Sequence, residues 1–313
     1  MLLYCAYRCI PVLSAVLPSS FRYWLARRLA DLGWLLCPRA RRGLESNLRA
    51  ALGAGAEAGG LRRVSRPAFR SFGIYLAEFF AAGRHAERLM GRRVRVTGRE
   101  NLDRALALGR GALFVSAHYS NWELGAFVVG RLGYPILIVA QAHADRRING
   151  LFVRQRAVHG VEVASSEHGA RAALRALREN RPVAILGDRP TGGQTVRVSL
   201  CGRPAEFPQG PWRLGLDSSA PLLPTFVCRQ PDGSYDLEIG APLEWPTAGA
   251  REERAAALAQ AFARELEARL RRDPAQWAAF YPVWETAQSG APAMVHEHLA
   301  CDRGQKANAG ARA

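Results

Sequence analysis

The chain has 313 residues, enough for one large core or two modest ones. Apolar residues make up 49% and charged residues 22%, which excludes a disordered chain. The net charge of +16 points to partners rich in phosphate or carboxylate: nucleic acid, an anionic membrane or an acidic carrier protein. Lys306 is the only lysine, so nearly all of the positive charge is arginine. A codon bias explains arginine over lysine but not the shortage of acids.

Residues 2–17 are apolar but interrupted by Arg8 and Pro11, too short and broken for a membrane span. No small-residue cleavage signature follows, so no removed leader is expected. Phe21 to Leu36 reads as an amphipathic helix. Phe21, Trp24, Leu25, Leu29, Leu32 and Leu36 share one face, flanked by Arg22, Arg27 and Arg28 and followed by Arg39, Arg41 and Arg42. That is the composition of an interfacial membrane helix, and equally of a helix packed on a domain surface. Gly53 to Gly60 is a linker, and Leu61 to Ala82 a helix heavy in aromatics, which fit a core or the lining of an acyl channel. Val94 to Thr97 is a strand.

The central stretch runs from Gly109 to Gly125. Ala112 to Val115 is a buried strand. Asn121 is the N-cap of a helix starting at Trp122, with Glu123 in its first turn. His118 therefore sits where a strand hands over to a helix, the place where α/β sheets hold ligands. A carboxylate five residues away can hold one imidazole nitrogen while the other faces a substrate. Ser116 and Ser120 flank the histidine, but no Gly-x-Ser-x-Gly elbow is present, and they read as small residues that keep a pocket open.

Further along, a helix spans Trp122 to Arg131 and a strand lies near Pro135–Ala140. A basic segment carries Arg147, Arg154 and Arg156. Arg147 and Arg154 share a helix face and are candidates for substrate phosphate, against the alternative of a solvated surface. Val161–Val163 is a strand, 168–179 a helix, and Pro182–Gly187 a strand ending at Asp188-Arg189. In a parallel sheet that end faces the same rim as His118. Thr195–Leu200 and Ala205–Phe207 form a hairpin, Pro211–Ser218 a helix, Leu222–Cys228 and Tyr235–Ile239 late strands, and Arg251–Arg272 a long charged helix. Recurring βα units predict an α/β fold: a mostly parallel central sheet flanked by helices, preceded by an amphipathic N-terminal region. The expected organisation is membrane-associating helices over 1–52, the α/β domain over 61–285 and a disordered tail over 286–313. The six cysteines contain no CxxC pair and read as reduced. His296, His298 and Cys301 resemble a metal cluster only superficially, and no metal site is expected.

His118-Tyr-Ser-Asn-Trp-Glu123 resembles the His-x4-Asp/Glu motif of the lysophospholipid-type acyltransferases. Its Asn-Trp-Glu ending is most similar to the lauroyl/myristoyl acyltransferases of lipid A biosynthesis. The same resemblance extends to Arg41-Arg42 with Asn47-Leu48, Gly98-x-Glu100-Asn-Leu102, Leu186-Gly-Asp-Arg189, Gly202-Arg-Pro204 and Asp273-Pro-x-Gln-Trp277, over roughly residues 1–285. Family members commonly carry Asp-Gln where this chain has Asp188-Arg189.

The resemblance implies an O-acyltransferase that moves a fatty acyl chain from an acyl carrier protein or coenzyme A thioester to a hydroxyl of a membrane glycolipid, in the first place a lipid A precursor. His118 would be the general base, oriented by Glu123, with Asn121, Arg147, Arg154, Asp188 and Arg189 binding substrate. No resident cofactor is implied, since the donor brings the activated acyl group. The partners implied are the anionic inner membrane at its cytoplasmic face, an acyl carrier protein and the glycolipid. The chain lacks a recognisable DNA or RNA module, so no nucleic acid is expected. The competing readings are another glycolipid acceptor, or a thioester hydrolase that uses the same residues on water.

Overall fold

Four helices open the chain: α1 (Leu2–Val16), α2 (Ser19–Leu36), α3 (Pro38–Leu52) and α4 (Ala58–Arg93). Pro38 stands at the first position of α3, where its missing N–H costs nothing. The computed structural model describes residues 2–53, 58–165, 169–190 and 193–284. The tail with His296, His298 and Cys301 lies outside the described residues, as does part of the linker.

The alternation of α2 is inverted relative to an ordinary surface helix. It buries Arg22 and Asp31 and leaves Phe21, Trp24, Leu29, Leu32, Leu35 and Leu36 exposed. Asp31 explains the inversion. Arg66 and Arg70 of α4 each grip its carboxylate through two nitrogens, at 2.6–3.0 Å. A charge can be buried when it is paired and bonded in this way. These bonds hold its carboxyl well below the usual range. Among the described residues no helix is long and apolar enough to cross a membrane.

The α/β body follows, with β1 (Val94–Thr97), α5 (Arg99–Leu106), β2 (Ala112–Ser116), α6 (Trp122–Arg131), β3 (Leu137–Ala140), α7 (Arg146–Val158), β4 (Glu162–Ser165), α8 (Gly169–Arg178) and β5 (Pro182–Leu186). Then come the hairpin β6 (Thr195–Leu200) and β7 (Arg203–Pro208), α9 (Gly210–Ser218), β8 (Leu222–Arg229), β9 (Tyr235–Ile239), α10 (Arg251–Arg272) and a 3-10 turn, Pro274–Gln276. Seven strands form one sheet in the order β1-β9-β8-β2-β5-β3-β4. The five from β8 to β4 run parallel, and β9 and β1 run the other way at one edge. β2 and β5 are neighbours at the centre, with Ser116 opposite Leu186.

Alternation along β2 divides the core. Leu113 and Val115 pack with α8, α9 and α10, whereas Ala112 and Phe114 pack with the aromatics of α4 and with α6 and α7. Both faces of the sheet are thus covered, as a parallel sheet requires.

α5 is not marked by the sequence, and α3 is marked only as part of the helical region over 1–52. Both are polar, and each is fixed by a few anchors. Gly98 caps α5 with φ +75, and a Cβ there would sit 1.9 Å from Ile239 O. Asn101 then donates to that same carbonyl at 2.8 Å, and Leu102 is fully buried. α4 runs beyond the expected 61–82, from Ala58 to Arg93, with no proline after Pro67 to break it. Cys5, Cys9, Cys201 and Cys228 are free.

Candidate active site

The register of β2 and β5 brings His118 and Asp188 together. Each lies two residues beyond the registered pair Ser116 and Leu186, at the carboxyl ends of adjacent parallel strands. His118 Nδ1 lies 2.8 Å from Asp188 Oδ1, and the His118 backbone N–H donates to Asp188 Oδ2 at 3.1 Å. Trp277 Nε1 donates to the same Oδ2 at 3.0 Å. Burial works against the charged carboxylate, but His118, Arg189 and Trp277 outweigh it and hold Asp188 down to about 2. An ionised carboxylate only accepts, so Nδ1 carries the proton and Nε2 is left as the basic nitrogen. Burial, aided by the Arg189 cation, lowers the pKa of His118 below its ordinary 6.5. The imidazole is therefore neutral and basic at neutral pH.

The turn from His118 to α6 is held from several sides. Ala278 N–H donates to His118 O at 2.8 Å, and Ser120 N–H donates to Gln276 O at 2.7 Å. Ser120 has φ +55, a conformation that a non-glycine residue keeps only when its surroundings fix it. Asn121 caps α6, its Oδ1 accepting from Leu124 N–H at 3.2 Å. Trp122 meets the His118 ring edge-on at 5.1 Å and stacks on Tyr75 at 4.2 Å.

Glu123 is placed differently from the expected orienting role. Its two oxygens take the guanidinium of Arg156 on α7, at 2.5 and 3.1 Å, and both side chains are buried. The proximity of Glu123 still favours the protonated form of His118. The carboxylate that bonds Nδ1 is Asp188, 70 residues along the chain. Glu123 is the nearer in sequence, and for that reason spacing alone pointed to it.

His118, Glu123, Arg156 and Arg189 line one cavity of about 550 Å³, within the range of small-molecule sites. On one side its walls are apolar: Phe72, Tyr75, Trp122, Ala126, Val129, Ile136, Ile138 and Phe152. Ile136, Ile138 and Ala140 line this apolar arm from β3 and its approach. On another side the lining is polar, with Arg189, Gln194, Gln209 and Arg213. Arg189 also donates to Ala278 O at 3.1 Å, with its guanidinium over the Tyr281 ring.

Asp188 and Asn121 stand behind this surface rather than in it. Arg147 and Arg154 do not line the cavity. Arg147 pairs with Asp145 and lies over the Tyr4 ring of α1, and Arg154 is exposed on α7. The inward-facing arginine of that helix is Arg156.

The remaining motif blocks brace this centre. Asn47 of α3 donates to Ala279 O and Tyr281 O and accepts from Val283 N–H, so α3 clamps the segment that carries Trp277 and Ala278. Asp273 caps the 3-10 turn before Trp277. Cys201 and Gly202, both at positive φ, make the tight turn of the β6–β7 hairpin.

A parallel α/β sheet with a histidine–carboxylate pair at its carboxyl rim, beside an apolar arm, has the layout of an α/β enzyme site. Residues 3–286 match the family of bacterial lipid A biosynthesis acyltransferases, and the chain belongs to that family. It is an O-acyltransferase. It is 28% identical over 221 residues to the phosphatidylinositol mannoside acyltransferase of Mycobacterium tuberculosis strain H37Rv, covering 68% of each chain. To the protein of that name from Mycolicibacterium smegmatis it is 27% identical over 224 residues, covering 70% of this chain and 71% of the relative.

Proposed function

We propose that this acyltransferase moves a fatty acyl group from an acyl thioester to a hydroxyl of a membrane glycolipid, with His118 as general base and Asp188 as the residue that orients it. The observation that carries this reading is the His118–Asp188 pair, whose Nδ1 contact to the carboxylate makes Nε2 the basic nitrogen, at the wall of a cavity with an apolar arm. The acyl chain occupies that arm. The acceptor hydroxyl gives its proton to Nε2 as its oxygen bonds to the thioester carbonyl carbon. The tetrahedral oxyanion forms near Arg189 and the N-terminus of α6. The C–S bond then breaks, and the departing thiolate takes the proton back from the imidazolium. No acyl-enzyme is required. Glu123 keeps Arg156 fixed in the cavity wall and adds a negative charge that favours the imidazolium.

A lipid A precursor is the first acceptor to test, following the family, and a mannosylated phosphoinositide the second, following the activity for which the relatives are named. The donor is a thioester of acyl carrier protein or coenzyme A. No resident cofactor is called for by this chemistry. The exposed apolar face of α2, with the exposed Arg147 and Arg154 of α7, is read as the contact with anionic lipid at the cytoplasmic face of the inner membrane. Incubation of the purified protein with each thioester and each glycolipid, followed by mass spectrometry of the lipids, tests the reading. A glycolipid heavier by one acyl group supports it. Release of free fatty acid with no acylated lipid would make the protein a thioester hydrolase instead.

A further inference from the structure

Glu78 lies in the middle of the aromatic run of α4, with 4% of its surface exposed. A carboxyl group in that setting needs hydrogen-bond partners, and both of its oxygens have them. Tyr23 Oη donates to Oε1 at 3.0 Å, Asn121 Nδ2 donates to Oε2 at 2.9 Å, and Tyr235 Oη makes a short bond to Oε2. The bond to Asn121 fixes which way that amide points. Asn121 Oδ1 must then face Leu124 N–H, which it caps. The cap sets where α6 begins, and the first residue of α6 is Trp122, whose ring meets His118. Between His118 and Asn121 lies Ser120, in a backbone conformation that relaxes unless held from both ends. One end is tied to Gln276 and Asp188, and Glu78 ties the other.

We propose that Glu78 is a positioning residue for the acyl-transfer site: through Asn121 it holds the His118–Trp122 turn in register with Asp188. The inference rests on the reading of His118 as general base. Glu78 touches no reacting atom, so its loss should lower kcat and leave binding of both substrates nearly intact.

The test combines steady-state kinetics with the ring nitrogen resonances of His118 in the full-length protein, using a long-chain acyl coenzyme A and the glycolipid that the wild type acylates. Glu78→Gln should reduce kcat about tenfold or more, the scale on which small misplacement of a reacting group acts, with each KM within about twofold. Adding Asn121→Asp reverses the polarity of the pair. The new amide then donates to the new carboxylate, which is itself a good N-cap, and kcat should recover severalfold. Tyr23→Phe removes a donor to the other oxygen and should change kcat by less than about twofold. An unchanged kcat in folded Glu78→Gln, or a double variant no faster than the single, overturns the proposal. If Glu78→Gln does not fold, Asn121→Ser serves instead. It keeps an N-cap but cannot reach Glu78, and an unchanged kcat there overturns the proposal equally. If no variant and no wild type transfers acyl groups, the catalytic reading fails while the resonances still decide this one. Shifted His118 signals in Glu78→Gln support the coupling, and identical signals refute it.

Discussion

At the scale of residues, the two carboxylates near His118 have separable tasks. Asp188→Asn removes the charge that fixes the tautomer and supports the imidazolium, so kcat should fall on the order of 10² to 10⁴ with the fold retained. Glu123→Gln breaks a buried ion pair and leaves Arg156 without its charge partner, a loss of about 3–5 kcal/mol of stability and a Tm lower by on the order of 10 °C. Thermal melting beside kinetics distinguishes the two variants. The pH profile carries a further prediction. Catalysis needs neutral His118, whose pKa lies below 6.5 because of burial and Arg189, so the acid limb of kcat/KM should fall below that value and the rate stay flat through neutrality. Arg189→Met removes a repelling cation and should move the limb upward. His118, Asp188 and Arg189 were legible in the sequence because each follows a short apolar strand. The partnership of His118 with Asp188 was not, because pairing across a sheet depends on strand order. Glu78 was hidden for another reason: one acid among aromatics carries no pattern.

At the scale of elements, α2 holds the sharpest contrast between local pattern and tertiary setting. Its apolar face was readable from spacing, but that this face points outward follows only from Asp31 meeting Arg66 and Arg70 on α4. Deleting the N-terminal helices would expose the aromatics of α4, so point substitutions are the better probe. Trp24→Ser with Leu29→Ser should cut binding to anionic vesicles about tenfold or more in a flotation assay, with Tm unchanged or raised. Asp31→Asn should instead lower Tm by about 2–4 °C, the shift of a stability change near 1 kcal/mol. The carboxyl of Asp31 is depressed in the fold, so its contribution is present above the ordinary carboxylate range and is lost as pH falls. The Tm difference between Asp31→Asn and the wild type should therefore shrink in acid. The strands and the long helices were legible because apolar runs and periodicity mark them. α3 and α5 were not, because single anchors such as Asn47, Gly98 and Leu102 fix them rather than a repeating face.

At the scale of the whole molecule, the proposed contact with anionic lipid rests on the net charge of +16 and the exposed apolar face of α2, while the cavity lies by the carboxyl ends of the central strands. Arg147 and Arg154 lie on the outside of α7, near α1 in the case of Arg147. Exchanging both for alanine should weaken vesicle binding by about 1 kcal/mol for each arginine near the surface, mostly at low salt, and change kcat little. The family motif blocks, scattered over the sequence, converge here because α3, the β5 end and the segment after α10 all pack around the His118 turn. Their order along the chain was legible, and their convergence is a property of the sheet.

The central claim is that His118 and Asp188 work as one unit in acyl transfer. The most direct measurement is a double-mutant cycle on kcat with His118→Ala and Asp188→Asn, in proteins shown to be folded. Groups that act together are not additive, so the double variant should be little slower than His118→Ala alone. If the two losses instead multiply in full, Asp188 acts independently of His118 and the account is contradicted.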